Sequence, residues 1–386
     1  MALFQYFPNY VRNLSLSIAL ESGGKIGEIV DMCQPLKDAA NRGEDAGTAD
    51  FMVEWVRMAD KLVSLADEDE HRGRRYSAGE KLKRACIYYA TAERMQGHGH
   101  PGRAETYAKA IDAFAKSMAY SGTGVERVST TYDDGRPLTA YYARAAGDGP
   151  HPVVVYCNGL DSTKELLWFS GLPDALLKRG VSILCVDQPG TGDALRLHDI
   201  PATHESERWA SRWVDWLVAR SDVDPARIGM TGISLGGYFA PRAVAFEPRF
   251  AAGAVWGGNH NWAEVQQKRL QREGENPVPH YWAHVMWVFG AKTMDEFLAK
   301  SAGMTLEGVL DRIKVPFLVT HGEKDRQIAL AYAQQTYDQL VNSPQRELKI
   351  FTDREGGVEH VGADNMSFGR DYIADWFADA LGGHTA

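Results

Sequence analysis

The chain has 386 residues, of which 44% are hydrophobic, 10% aromatic and 24% charged. This composition excludes a largely disordered chain, and the length exceeds the about 100–200 residues of one typical domain. The net charge of −9 gives no sign of a nucleic-acid-binding surface, and no apolar run approaches the about 18 residues of a membrane span. We therefore expect a large α/β domain with a smaller companion, and neither a nucleic-acid nor a membrane partner.

Residues 1–20 do not combine the basic start, apolar stretch and small-residue cleavage site of a signal peptide. Cys33, Cys86, Cys157 and Cys185 are scattered without CxxC spacing, and the last two lie in apolar, strand-like runs. Buried thiols in a reducing compartment account for this pattern better than disulfides do. We expect a cytoplasmic protein.

The first 120 residues show helical periodicity throughout. Apolar side chains recur at three- and four-residue steps from Thr48 to Ala66, which predicts an amphipathic helix. Ser77 and Glu80 have the spacing of a capping box that would open a second helix, and Pro101 suits the first turn of a third. The sequence predicts a helical N-terminal domain or cap at 1–120.

After residue 121 the pattern changes to strands alternating with helices, as in a parallel sheet covered on both faces. A hairpin is predicted at 125–132 and 138–144. Short apolar strands are predicted at 153–157, 181–186, 228–233, 251–256, 317–320 and 348–351. The pattern therefore predicts an α/β domain at 121–386, with a helical, aromatic and histidine-rich insertion at about 259–310.

The strongest functional motif is Gly-Ile-Ser-Leu-Gly at 232–236. The pentapeptide alone is a weak signal, and a passive serine in a glycine-rich turn is the alternative. Its position after an apolar strand and before a helix is typical of a nucleophile elbow, in which a tight turn exposes the Ser234 hydroxyl above the sheet edge. Ser234 is therefore the candidate nucleophile.

A serine nucleophile needs a base and a group that orients the base. In this topology the acid and the histidine follow the serine in chain order. Asp325 lies just after a late strand and a turn at Gly322, and it is preferred over Glu323. His360 lies between the last strand and the last helix. The sequence predicts a triad of Ser234, Asp325 and His360.

Two loops complete the predicted site. The loop after strand 153–157 and the turn after the nucleophile should supply oxyanion-binding N–H groups, from the backbones of Leu160 and Leu235. The loop at 187–192 reads Asp-Gln-Pro-Gly-Thr-Gly and lacks the spacing of a dinucleotide or phosphate loop. The histidines show no metal-binding spacing either, so neither a cofactor nor a metal is expected.

These motifs, with the His-Gly-x-x-Asp sequence at 321–325, resemble the α/β-hydrolase superfamily over residues 121–386. The helical N-terminal region and the segments 159–165, 247–252 and 256–258 extend the resemblance over nearly the whole chain. They are similar to the group that contains 2,6-dihydroxypseudooxynicotine hydrolase, the fungal yellowish-green polyketide-shortening hydrolases and the FrsA-like proteins.

This resemblance implies an α/β-hydrolase fold with an N-terminal helical cap over a Ser-His-Asp site. It also implies cleavage of a carbon–carbon bond next to a ketone, and a homodimer. A glutamate downstream of the nucleophile takes part in the pyridine-degrading member, and Glu264 is the nearest candidate here, although a solvated glutamate on a helix face fits this position as well.

The predicted insertion carries aromatic and histidine side chains that could line a pocket for a small phenolic or polyketide-like substrate. The candidates are His260, His280, Trp282, His284 and Trp287. Packing of the insertion against its surroundings explains the same pattern equally well. A carboxylesterase or thioesterase with the same triad, and a non-catalytic regulatory binding protein of the FrsA-like kind, are the alternative functions.

Overall fold

The structure is a computed structural model, which describes residues 4–43, 49–271 and 278–384. The chain divides into two compact units. One contains the described residues up to 125 and 278–284, and the other contains 126–271 and 285–384. Thr48 of the first predicted helix, and 272–277 of the predicted insertion, lie outside the described residues.

The first unit is helical. Its helices are α1 (Tyr10–Glu21), α2 (Ile26–Cys33), the short α3 (Lys37–Asn41), α4 (Ala49–His71), α5 (Arg75–Arg94) and α6 (Arg103–Ser121), with a 3₁₀ turn at Gln34–Leu36. Trp55 of α4 is fully buried, stacks on Phe51 and meets the edge of Tyr88 from α5. The apolar stripe predicted for α4 therefore forms part of this core.

Two predicted helix starts are wrong. Ser77 does not cap α5, because this helix begins at Arg75 and contains Ser77. Gly73, with φ +70°, ends α4, and the Arg74 N–H bonds to the carbonyl of Asp69 at 2.8 Å, so the chain enters the next helix before the serine is reached. Likewise α6 begins at Arg103 rather than at Pro101.

The second unit is built on an eight-stranded sheet. Its strands are β1 (Glu126–Thr131), β2 (Pro137–Ala143), β3 (His151–Cys157), β4 (Ser182–Val186), β5 (Val223–Ile233), β6 (Phe250–Trp256), β7 (Phe317–Gly322) and β8 (Arg346–Phe351). Their spatial order is β1-β2-β4-β3-β5-β6-β7-β8. The β1–β2 and β2–β4 pairs are antiparallel, and the other pairs are parallel.

The remaining helices follow these strands along the chain. They are α7 (Lys164–Phe169), α8 (Leu172–Leu177), α9 (Gly192–Arg196), α10 (Ser206–Val218), α11 (Gly236–Phe246), α12 (Trp262–Leu270), α13 (Tyr281–Val288), α14 (Met294–Ser301), α15 (Leu330–Gln339) and α16 (Met366–Leu381). Two helices, α7 and α8, follow β3, because Gly171 adopts φ +80° between them.

The register of the parallel strands brings their carboxyl ends to one edge. Cys157 at the end of β3 pairs with Gly232, and Gly232 pairs with Val255 near the end of β6. Every residue of β3 is buried, as expected for a strand covered on both faces. The loops that carry the predicted site residues therefore leave the sheet at neighbouring positions.

Within the described part of the chain, no helix combines the length and the apolar character needed to cross a membrane.

Candidate active site

Ser234 lies in a sharp turn between β5 and α11 and has φ +58°, a left-handed conformation that is strained for a serine. The turn requires its glycines. A Cβ on Gly232 would lie 2.3 Å from the Gly236 carbonyl oxygen, and one on Gly237 would lie 1.9 Å from the Gly257 carbonyl oxygen. The pentapeptide thus forms the strand–turn–helix geometry that the sequence predicted.

The structure brings Ser234, His360 and Asp325 together. Ser234 Oγ and His360 Nε2 are 2.8 Å apart, and His360 Nδ1 and Asp325 Oδ2 are also 2.8 Å apart. Because the Asp325 carboxylate can only accept a hydrogen bond, the ring hydrogen is assigned to His360 Nδ1. Nε2 can then accept the serine proton. This arrangement can transfer a proton from the hydroxyl to the imidazole.

The Asp325 carboxylate is held in place from its other side. Asp325 Oδ1 accepts the backbone N–H groups of Gln327 at 2.7 Å and Ile328 at 2.9 Å. Burial alone would raise the pKa of Asp325, but the charge of His360 and the hydrogen bond from its ring outweigh burial and lower this pKa. The group therefore remains a carboxylate and keeps the imidazole in one tautomer.

The loop that carries His360 is shaped by Asp364, a residue that the sequence analysis did not identify. The Asp364 carboxylate accepts the N–H groups of Gly357 at 2.9 Å, Val358 at 3.2 Å and Glu359 at 2.9 Å. The sequence does contain a signal for this role, because an aspartate that follows a glycine-rich loop by a few residues can accept hydrogen bonds from the loop backbone. These bonds fix the backbone immediately before the imidazole.

The predicted oxyanion residues flank the nucleophile in the fold. Leu235 is buried and is the N-cap residue of α11, directly after Ser234. The loop after β3 runs beside the serine, since a Cβ on Gly159 would lie 3.1 Å from Ser234 Cβ, and Leu160 follows in that loop.

Glu264 lies on α12 with its side chain 41% exposed. Its carboxylate is 2.7 Å from Lys268 Nζ and accepts the Tyr332 hydroxyl at 2.8 Å. The hydrogen bonds from Lys268 and then from Tyr332 lower the pKa of Glu264. These contacts are those of an ionised glutamate in a surface ion pair.

The predicted pocket residues fall in both units. His260 is buried in the second unit, where its Nε2 is 3.2 Å from Glu307 Oε2, and Trp287 lies beneath the Arg196 guanidinium at 5.6 Å. His280, Trp282 and His284 belong to the first unit. His280 is exposed, Trp282 half-buried and His284 buried. Their role in a substrate pocket remains a prediction.

Part of the aromatic stripe in the predicted insertion packs on itself. Trp262 stacks on Phe289 at 5.3 Å between ring centroids, and Phe297 meets the edges of both rings. All three are buried, so these aromatic side chains form a small core. Among the described residues, no three His, Cys, Asp or Glu side chains are grouped to hold a metal ion.

Residues 46–273 match the family described as esterase FrsA-like, and residues 210–384 match the prolyl oligopeptidase family. The 2,6-dihydropseudooxynicotine hydrolase of Paenarthrobacter nicotinovorans is 29% identical over 331 residues, which are 85% of this chain and 83% of that protein. The 20-hydroxy-prefusarin hydrolase FUS2 of Gibberella moniliformis is 27% identical over 337 residues, 77% of each chain.

Solved structures agree with these matches. The crystal structure of the 2,6-dihydroxy-pseudo-oxynicotine hydrolase superposes with a TM-score of 0.77 at 25% identity, over 96% of this chain and 97% of that one. The predicted α/β-hydrolase fold with a helical N-terminal region is thereby confirmed. The chain is an α/β-hydrolase and belongs to the FrsA-like family.

Proposed function

We propose that this protein is a serine hydrolase that cleaves a carbon–carbon bond next to a ketone in an aromatic or polyketide-like substrate, through an acyl-enzyme. The observation that carries the proposal is the chain of two 2.8 Å hydrogen bonds from Ser234 through His360 to Asp325. The names of two relatives, a pseudooxynicotine hydrolase and a prefusarin hydrolase, support a heteroaromatic or polyketide-like substrate class.

In the proposed mechanism, His360 Nε2 accepts the Ser234 proton while Oγ attacks the ketone carbon. Asp325 stabilises the imidazolium that forms, and the backbone N–H groups of Leu160 and Leu235 bind the oxyanion. Collapse of the tetrahedral intermediate leaves the acyl group on Oγ.

The electron pair of the broken carbon–carbon bond remains on the leaving carbon, where an enolate or an electron-rich ring delocalises it. The His360 imidazolium returns its proton to that carbon. Water, deprotonated by the same imidazole, then hydrolyses the acyl-enzyme to a carboxylic acid. The net reaction adds one water across the bond.

An esterase or thioesterase reaction at the same serine is the second candidate, favoured by the description of the matching family as an esterase. Ester hydrolysis needs no stabilised carbanion, because an alkoxide or thiolate leaves instead. The two candidates therefore differ only in the group that receives the proton from His360.

The test offers the purified protein p-nitrophenyl acetate and butyrate in parallel with a panel of aryl β-diketones and acylphenols. Products are identified by mass spectrometry. Water added across a carbon–carbon bond supports the first candidate, and ester turnover with unchanged diketones supports the second. Ser234→Ala must abolish whichever activity the wild type shows. Ser206→Ala is the matched control, because this buried serine donates to the Phe239 carbonyl, and it must retain the activity.

A protein that leaves both sets of compounds unchanged and resists a fluorophosphonate at Ser234 would contradict the proposal. That result would instead favour a regulatory binding protein.

A further inference from the structure

The loop after β3 is fastened at both of its ends to Asp187, the residue that follows β4. Asn158 Nδ2 donates to Asp187 Oδ1 over 3.2 Å at the start of the loop. The backbone N–H of Lys164 donates to the same oxygen over 2.8 Å at its end. Residues 159–163 therefore span two points that are fixed on one carboxylate oxygen.

The second oxygen of Asp187 is equally occupied. Asp187 Oδ2 accepts Lys164 Nζ at 2.8 Å and the Asp193 N–H at 2.9 Å. The Lys164 ammonium also lies 2.9 Å from Asp193 Oδ2 and 2.9 Å from Glu165 Oε1, and all four side chains are buried. A buried ammonium requires such partners, and its bond to Oδ2 fixes the orientation of the Asp187 carboxylate, whose other oxygen holds the loop.

Gln188 fixes the first residue of the loop through its main chain. Its Oε1 accepts the Asn158 N–H at 3.0 Å, and its Nε2 donates to the Asn158 carbonyl at 3.0 Å. This side chain therefore continues the parallel pairing one residue beyond Cys157 and Val186, the last pair of the two strands.

The fastened loop is the one that passes the nucleophile. Gly159 approaches Ser234 so closely that a Cβ there would lie 3.1 Å from Ser234 Cβ and 3.5 Å from Oγ. Leu160 follows Gly159 between the two fixed ends. A shift of either end therefore moves the Leu160 N–H relative to the reacting carbonyl, and an error of about 1 Å there can cost about 100-fold in rate.

We propose that Asp187, assisted by Gln188, is a positioning residue that fixes the backbone N–H of Leu160 for oxyanion binding. The inference rests on the proposed function, because it requires acyl transfer at Ser234. In this proposal Asp187 acts only through the loop and does not contact the substrate.

Asp187→Asn should release the loop. The buried Lys164 ammonium attracts the amide oxygen more strongly than a neutral donor does, so the oxygen stays with Lys164 Nζ and the Asp193 N–H. The NH₂ then faces Asn158 Nδ2 and the Lys164 N–H, which are both donors, so the two bonds to the loop are lost.

Asp193→Asn is the matched control. Asp193 is equally buried and shares the same ammonium, and its Oδ2 receives side chains, those of Lys164 at 2.9 Å, Thr139 at 2.8 Å and Arg127 at 2.8 Å. Asp193→Asn therefore perturbs the buried cluster while the four hydrogen bonds to Asp187 stay in place.

The experiment measures kcat and KM with p-nitrophenyl butyrate or the diketone that the wild type cleaves, and Ki for phenylboronic acid and for butyrate. The boronate forms a tetrahedral adduct on Ser234 and places a negative oxygen at the oxyanion position, whereas butyrate reports ground-state binding. Asp187→Asn should lower kcat and raise the boronate Ki about 10–100-fold, with KM and the butyrate Ki within about threefold. Asp193→Asn should change the boronate Ki less than about threefold.

Equal boronate Ki values for the two variants, or an unchanged kcat in Asp187→Asn, would overturn the inference. A wild type that neither turns over substrate nor binds boronate would instead overturn the proposed function. If Asp187→Asn does not fold, Gln188→Met removes both bonds to Asn158 at similar volume. Gln188→Met should likewise lower kcat while KM stays nearly unchanged. An unchanged kcat in this variant would also overturn the inference.

Discussion

The imidazole of His321 lies 3.7 Å from Asp325 Oδ2, yet its two nitrogens bond to other groups. Nε2 donates to the Ile328 carbonyl at 2.9 Å, and Nδ1 accepts the Gly258 N–H at 3.2 Å. Burial lowers the pKa of His321 despite the nearby Asp325 charge, so the ring is neutral. His321 therefore leaves the carboxylate to His360.

His321→Ala should destabilise the fold more than it slows the reaction. The Gly258 N–H and the Ile328 carbonyl would lose their partner inside a buried cavity, at a cost of about 2–4 kcal/mol in unfolding free energy. The kcat of the folded variant should remain within about tenfold, because Asp325 still holds His360. Urea unfolding and kcat together check this, and unchanged stability with a large loss of kcat would contradict it.

Asp325→Asn should lower kcat by about 10³–10⁴ with little change in KM. The amide oxygen would keep the two backbone N–H groups of Gln327 and Ile328, which turns the NH₂ toward His360 Nδ1. The imidazole would then carry its hydrogen on Nε2 and could no longer accept the serine proton. Asp353→Asn, an exposed aspartate paired with Lys324, is the control and should keep full activity.

Glu355 should make stability depend on pH in the acid range. The side-chain hydrogen bond from Lys349, followed by those from Thr352, lowers the pKa of Glu355 from its ordinary 4.5 to about 2. A lowered carboxyl pKa stabilises the fold above the unfolded value and loses this effect as the pH falls through the folded value. The Tm difference between wild type and Glu355→Gln should be constant above pH about 4.5 and should shrink towards pH about 2.

A Tm difference that grows on acidification would contradict this sign.

Glu264→Gln separates a surface role from an acid–base role. The exposed ion pair with Lys268 predicts a kcat within about twofold of the wild type on an ester substrate. The same comparison on a cleaved diketone is the decisive one. A tenfold or larger loss there, with ester turnover unchanged, would assign Glu264 to protonation of the carbon leaving group.

The sequence predicted the elements whose signals are local. A short apolar strand, a glycine-bounded serine and a following helix are contiguous, so the turn at Ser234 could be read directly. Asp325 and His360 followed from chain order and from their places after β7 and β8. Their hydrogen-bonded contact depends on the register of the sheet and needed the structure.

The structure also identified residues whose function depends on distant partners. Asp187 was read only as part of a loop without a phosphate-binding pattern, because nothing in its neighbourhood indicates that Asn158 and Lys164 would converge on it. The connection between α4 and α5 is likewise only the short segment Gly73-Arg74, so α5 begins at Arg75, before the predicted cap at Ser77. Local propensity does not show either effect.

The two outer strands of the sheet limit how copies of this chain could associate. An open edge strand can template pairing with another molecule, and charged side chains suppress this. β1 carries Glu126 and Arg127, and β8 carries Arg346, Glu347 and Lys349. Continuous sheets across two subunits are therefore disfavoured, so the expected homodimer would have to use helical surfaces, and concentrated samples should resist edge-to-edge aggregation.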